Sequence, residues 1–393
     1  MEGYREFERR IEKELRESIE NLKVPNIAVI GMSGSGKSTL INCVFGSNQA
    51  KTGAGSPITE GFKRYSSRSE GKPPVVLYDS AGYEPNKEAQ FVSNVVEFLE
   101  RSHRYQIEHK IHLVWYVINA ATGRFLEFDA EIINKISSLS IPLIIVISKC
   151  DIAQDADIEK IEEVIRSYKF KRVYNIIRLA AQPMVKGEKP ICQPFGLEEI
   201  VKTTLSELPD IYELAVIASQ KIIIKSKRKV AWNYIQVAAL ACFGAAFIPL
   251  PGTTAATTGA SQYSLLKVLM ELYGYEDFID PLLTVSGTTL QGVLTLIATF
   301  VLDSIALVFP PAFFATETIS GLAGSAYVIV VGLSVTTVLE RLAQSRLTGN
   351  ESQVQINILK EDIRKEIGRY SHLNITSKQD IENVGQDFIK GKI

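Results

Sequence analysis

The stretch that decides the fold is Asn26-Ile27-Ala28-Val29-Ile30-Gly31-Met32-Ser33-Gly34-Ser35-Gly36-Lys37-Ser38-Thr39-Leu40-Ile41-Asn42-Cys43-Val44-Phe45-Gly46. Its centre fits G-x-x-x-x-G-K-[ST], the loop that wraps nucleotide phosphates. The preceding run reads as a short buried strand, and the following run has the apolar spacing of a helix that stops at Gly46. Glycines let successive backbone N–H groups converge on phosphate oxygens, and the helix N-terminus adds its partial positive charge. In such a loop Lys37 reaches the β- and γ-phosphates, and the Ser38 hydroxyl ligates Mg²⁺.

Working outward, strand-like runs at 26–30, 75–79, 111–118, 142–148 and 173–179 alternate with helical patterns. That alternation predicts an α/β fold, a mostly parallel sheet covered by helices on both faces. Three strand ends then carry candidate chemistry. Asp79-Ser80-Ala81-Gly82 follows Pro74–Tyr78. Its carboxylate can hold Mg²⁺ through a water, and the Gly82 N–H can meet the γ-phosphate. Ser148-Lys149-Cys150-Asp151 closes the run 141–147. Asp151 can accept from the N1–H and exocyclic amine of guanine, donors that adenine lacks, and a site built on such pairing discriminates strongly. Lys149 would lie along the base face. Ala180 and Ala181, after the strand at 173–177, can offer a backbone N–H to guanine O6. Thr59, in a loop expected over 56–61, is suited to closing over Mg²⁺ and γ-phosphate and releasing after hydrolysis.

These residues resemble the Era-like branch of the GTPases related to the translation factors, over about residues 25–208. The resemblance implies a P-loop NTPase G domain with GTP/GDP and Mg²⁺ as cofactors. Its nucleotide site is expected from Gly31, Ser33, Gly34, Ser35, Gly36, Lys37, Ser38, Thr39, Asp79, Gly82, Ser148, Lys149, Asp151, Ala180 and Ala181. Ser38, Thr59 and Asp79 are expected at the metal; Lys37, Thr59 and Gly82 are expected to carry the reaction. Two positions depart from the pattern. Ser148 replaces the usual Asn or Thr, so one tether to the base loop is expected to be weaker. Tyr83 stands after Gly82, where Ras-type enzymes carry the Gln that orients the attacking water. Potassium-dependent relatives place Asn where this loop has Gly34. Slow intrinsic turnover is therefore expected, with an arginine able to accelerate it by about 10³–10⁵. Arg64, Arg68 and Arg124 are the loop candidates for that arginine.

The rest of the chain differs in composition. Between Ala231 and Leu339 only Lys267, Glu271, Glu276, Asp277, Asp280, Asp303 and Glu317 are charged. The uncharged stretches at 281–302 and 318–339 are about long enough to cross a bilayer, which takes around 20 apolar residues. They are also rich in small residues that let helices pack closely. A basic cluster, Lys225, Lys227, Arg228 and Lys229, precedes the first apolar run and would stay cytoplasmic under the positive-inside rule. The expected organisation is an amphipathic helix at 1–24, the G domain at 25–208, a hydrophobic helical domain at 209–345 and a charged helical tail at 346–393. The helical region resembles a hydrophobic domain often fused to such GTPases. Membrane association on the cytoplasmic face is expected, with a buried soluble bundle as the other reading. One helix is expected to run from about 210 to 230.

Net charge is −1, which gives no sign of a nucleic-acid partner. Four scattered cysteines, Cys43, Cys150, Cys192 and Cys242, lack metal or disulfide spacing. His103, His109 and His112 lack the tight spacing of a zinc site. The expected function is a GTP-hydrolysing switch that couples nucleotide state to a membrane-associated or partner-binding helical domain. The alternatives are a nucleotide-bound interaction module that scarcely hydrolyses, or a dynamin-like or immunity-related membrane-remodelling GTPase acting through self-association.

Overall fold

The computed structural model describes residues 13–46 apart from 16, 19 and 20; 56–66 apart from 60 and 61; 75–80; 88–103; 110–245 apart from 183, 187 and 188; 264–275; 320–347; and 356–393. The chain divides into two compact units. One is Leu22–Ile223; the other joins Met1–Asn21 to Ile224–Ile393.

The first unit is built on a seven-stranded sheet. Its strands are β1 (Asn26–Gly31), β2 (Ser56–Thr59), β3 (Phe62–Ser66), β4 (Val76–Ser80), β5 (Leu113–Asn119), β6 (Leu143–Ser148) and β7 (Val173–Arg178), in the order β2-β3-β4-β1-β5-β6-β7. β4, β1, β5, β6 and β7 are parallel; at one side β3 pairs antiparallel with β4, and β2 antiparallel with β3. The central strands β1, β5 and β6 are rich in β-branched residues because both of their faces are buried. On one face, Ile27, Val29, Leu77, Trp115 and Val146 pack against α1 (Lys37–Phe45), α5 (Leu197–Glu207) and α6 (Glu213–Ser219). On the other, Ala28, Ile30, Tyr116 and Ile145 pack against α2 (Glu88–His103), α3 (Glu127–Ser138) and α4 (Asp155–Ser167). A small hairpin, β8 (Met184–Lys186) with β9 (Lys189–Cys192), stands apart.

Two expectations need correction here. The segment around Thr59 is a strand rather than a loop: Pro57 pairs with Lys63 and Thr59 with Phe62. Pro57 has no N–H to offer a further strand, which suits the outermost position. The helix expected from 210 to 230 is broken. Leu208, Tyr212 and Val216 belong to the core of the sheet unit, so that unit runs on past the boundary expected at 208.

The break is made by one side chain. Gln220 is fully buried; its Oε1 accepts the N–H groups of Ile222 and Ile223 at 2.7 Å each, and its Nε2 donates to Ile223 O at 3.0 Å. The amide takes over the backbone groups that a continuing helix would have bonded. Gln220→Leu strands two part-buried N–H groups at roughly 1–3 kcal/mol each. Urea unfolding should show a stability loss of about 2–4 kcal/mol by the same reasoning; a loss under about 0.5 kcal/mol, the level of an ordinary surface change, contradicts the clasp.

The second unit is helical. α7 (Lys227–Ala245), a helical segment at 264–273, α8 (Ser320–Leu347), α9 (Ile356–Tyr370) and α10 (Lys378–Ile389) are described, and Leu15 is buried in the short N-terminal piece. The small residues do let helices approach. A Cβ on Gly332 would lie 2.6 Å from the Ile235 side chain, and one on Gly385 would lie 2.1 Å from the Trp232 ring. The Ser325 hydroxyl donates across to Ala239 O at 2.7 Å. Two members of the basic cluster are engaged inside the unit, while Lys225 is exposed. Lys227 is buried and donates to Leu272 O at 2.7 Å, while Arg228 forks onto Glu340 at 2.6 and 3.3 Å and donates to Phe388 O. Ser325–Leu347 is long and apolar enough for a bilayer span, and 89% of its window is buried within the protein. The stretch 281–302 lies outside the described residues.

Candidate nucleotide site

The phosphate loop sits at the β1–α1 corner. Gly36 caps α1 at φ 90°, with no side chain accepting at the cap and no acid in the first turn. The terminal N–H groups of α1 are thus left for an anion. Gly31 is needed for a different reason, since a Cβ there would lie 2.2 Å from the Val117 carbonyl of the neighbouring strand.

Lys37 is buried and its ammonium donates to Met32 O at 2.7 Å and Gly31 O at 3.0 Å, so it lies within the loop it would serve. Burial lowers its pKa, opposed by the charge of Asp79. Ser38 Oγ donates to Asp79 Oδ2 at 3.2 Å, while Asp79 Oδ1 is buried with no partner among the described residues. Burial raises the Asp79 pKa against the opposing pull of Lys37, the Ser38 hydrogen bond and Lys63. A hydroxyl and an under-satisfied carboxylate at one point are the hard oxygen donors that Mg²⁺ takes. Ser33 and Gly34 form the exposed turn of the loop, Ser35 is buried beneath it, and Thr39 is half-buried on α1.

The base end lies across the sheet, at β6 and β7. Lys149 holds φ 58°, which turns the chain sharply after β6, and Ile152 N–H closes the turn onto Lys149 O at 3.2 Å. Cys150 N–H donates to Leu179 O and Leu179 N–H to Ile147 O, so the Asp151 turn and the Leu179–Ala181 segment are stitched together. The two alanines then separate. The Ala180 N–H is engaged with Phe195 O at 3.2 Å, which removes it as a donor to guanine O6. Among the described residues the Ala181 N–H has no partner, and its carbonyl accepts from Cys43 Sγ of α1 at 3.2 Å. Ser148 nonetheless reaches the phosphate loop. Its hydroxyl lies 2.6 Å from Ser35 O in the phosphate loop and 3.0 Å from Ile118 O. A short serine suffices because the chains come close: a Cβ on Gly36 would stand 3.9 Å from Ser148 Cβ.

Other expected residues fall elsewhere or outside the described set. Gly82, Tyr83, Arg68 and His109 lie outside it, and of Thr59 only the backbone is described. Arg64 pairs with Tyr78, on the face opposite Asp79, so strand alternation points it away from the phosphates. Arg124 follows the end of β5, on the base side of the site. His112 is structural: its Nδ1 accepts Asn26 N–H at 2.8 Å and its Nε2 lies 2.9 Å from the Tyr212 hydroxyl.

Residues 26–149 match the family described as 50S ribosome-binding GTPase. The probable GTP-binding protein EngB of Thermoanaerobacter pseudethanolicus is 30% identical over 168 residues, covering 41% of this chain and 82% of that protein. The chain belongs to the Era-like P-loop GTPases. GTPase Era of Aquifex aeolicus is 28% identical over 197 residues, 48% of this chain and 58% of Era, so this chain spans little more than half of that relative. A crystal structure of Era with MgGDPNP and nucleotides 1506–1542 of 16S ribosomal RNA overlaps 53% of this chain and 67% of that one, at 23% identity and a TM-score of 0.34. An Era-like G domain binds guanine nucleotide.

Proposed function

We propose that this chain is a GTP-operated switch whose hydrolysis site lies between the phosphate loop and Asp79, and whose output is the helical unit. Ser38 and Asp79 hold Mg²⁺, which supplies charge neutralisation at the phosphates; Lys37 binds the β- and γ-phosphates. Asp151, Lys149 and the Ala181 N–H hold the guanine. Turnover by the isolated protein is slow, because no glutamine follows Gly82.

The observation that carries the coupling is at the far end of the phosphate-loop helix. Val44 O, in the last turn of α1, accepts the N–H of Lys221 at 2.8 Å. Lys221 sits inside the Gln220 clasp, and the chain passes from Ile223 directly into the helical unit at Ile224. A shift of α1 with nucleotide state therefore pulls on the segment that leads into the helices. The burial of Lys227 and most of Ser325–Leu347, with Arg228 paired to Glu340, supports a unit that keeps its apolar helices as its own core and presents a surface to a protein partner. Membrane association is the second reading, favoured by the length and apolar composition of Ser325–Leu347.

Single-turnover hydrolysis and flotation of the full chain with anionic vesicles, in GDP or a non-hydrolysable triphosphate, test both. Slow phosphate release with no vesicle binding fits the partner-operated switch. Triphosphate-dependent flotation selects the membrane reading, and no release above buffer reduces the protein to a nucleotide-bound interaction module.

A further inference from the structure

With Arg64 turned away from Asp79, the cation on the Asp79 side of β3 is Lys63. Lys63 pairs directly with Asp79 across the antiparallel β3–β4 ladder. Residues directly opposite in such a pair share a face of the sheet. That face is the one covered by α1, because Tyr65 and Leu77, the next pair along it, belong to the same core as Leu40, Ile41 and Val44. Lys63 therefore projects on the side where Ser38 and Asp79 meet. It is exposed, and among the described residues no carboxylate is paired with it. Its charge is felt at Asp79, where it opposes the effect of burial.

Sheet order fixes which end of the nucleotide this charge addresses. Asp79 on β4 and the phosphate loop after β1 mark the metal and phosphate end; Asp151 after β6 marks the base end. β3 adjoins β4 and is separated from β6 by three strands, β4, β1 and β5.

Resting on the nucleotide site proposed above, we infer that Lys63 is a specificity-determining residue that recognises the third phosphate and favours GTP over GDP. A triphosphate carries its additional charge at the Asp79 end, where an exposed ammonium lowers the cost of holding it. A diphosphate leaves that position empty and gains little. Because Lys63 is solvent-exposed, the contribution weakens with salt.

The test is titration of the full chain with fluorescent GDP and a fluorescent non-hydrolysable GTP analogue in magnesium. Lys63→Met keeps the length of the side chain and removes its charge. It should weaken the triphosphate analogue about tenfold, leave GDP within about twofold, and leave guanine-over-xanthine preference unchanged, with the triphosphate loss shrinking at 0.5 M salt. Lys63→Arg should restore most of the triphosphate affinity. An unchanged ratio of the two affinities, or an equal loss for both nucleotides, overturns the role of Lys63 while leaving the site intact. Failure of the wild-type chain to bind either nucleotide sinks the site, and Lys63 with it.

Discussion

Asp151→Asn should turn a guanine-binding protein into a xanthine-binding one. The carboxylate offers two acceptors at a turn held by the Lys149 backbone at φ 58° and stitched to Leu179. Guanine brings two donors to it. Asparagine replaces one acceptor with a donor, which opposes the exocyclic amine of guanine but matches the C2 carbonyl of xanthine. Two charge-assisted hydrogen bonds at about 1.5–3 kcal/mol each set the scale, so GTP affinity should fall by roughly 10²–10⁴. XTP should become the preferred ligand at a similar level. Competition titration with GTP, XTP and ATP reads this directly. Unaltered preference in the variant would mean that some other group reads the base. The fold should survive, because Asp151 is half-buried in a turn whose bonds are made by backbone.

The second large effect is structural. Gly31→Ala places a methyl 2.2 Å from the Val117 carbonyl, on the strand paired to it in the centre of the sheet. Neither backbone can yield without separating β1 from β5, so the loss should exceed about 4 kcal/mol, in the exceptional range for a single substitution. Gly34→Ala provides the contrast. It also needs positive φ, at 73°, but no described residue lies within 4 Å of a Cβ built there. Its cost should be the conformational one alone, about 1–2 kcal/mol. Thermal and urea unfolding of the two variants should therefore differ widely. Equal losses would mean that φ, and not the approach of β5, governs Gly31.

The parallel core was legible because its strands are continuous β-branched runs flanked by loops with chemistry in them. Ile27–Ile30 and Leu143–Ile147 have no other plausible use. β3 was not legible, and the reason is physical. Phe62 packs on one face of the sheet and Tyr65 on the other, with Lys63 and Arg64 exposed between them. A strand near the sheet edge is covered only locally on each side, so period-two alternation never develops. The β8–β9 hairpin is shorter still and contains Pro190.

The candidate site was legible wherever a side chain follows a strong strand, as at Lys37, Asp79 and Asp151. What sequence spacing could not supply was hydrogen-bond allocation. The loss of the Ala180 N–H to Phe195, the reach of Ser148 to the phosphate loop, and the Gln220 clasp all depend on partners distant in the chain or on a local backbone turn. The facing of Lys63 and Arg64 depends in the same way on register with β4.

Calorimetric titration of the full chain with GTP and magnesium, wild type beside Lys37→Ala, bears most directly on the claim that a triphosphate is held at the β1–α1 corner. The account predicts saturable magnesium-dependent binding to the wild type, weakened by roughly a hundredfold or more in Lys37→Ala, which removes a buried cation from its phosphates. Equal affinity in the two proteins, or no heat in either, contradicts it.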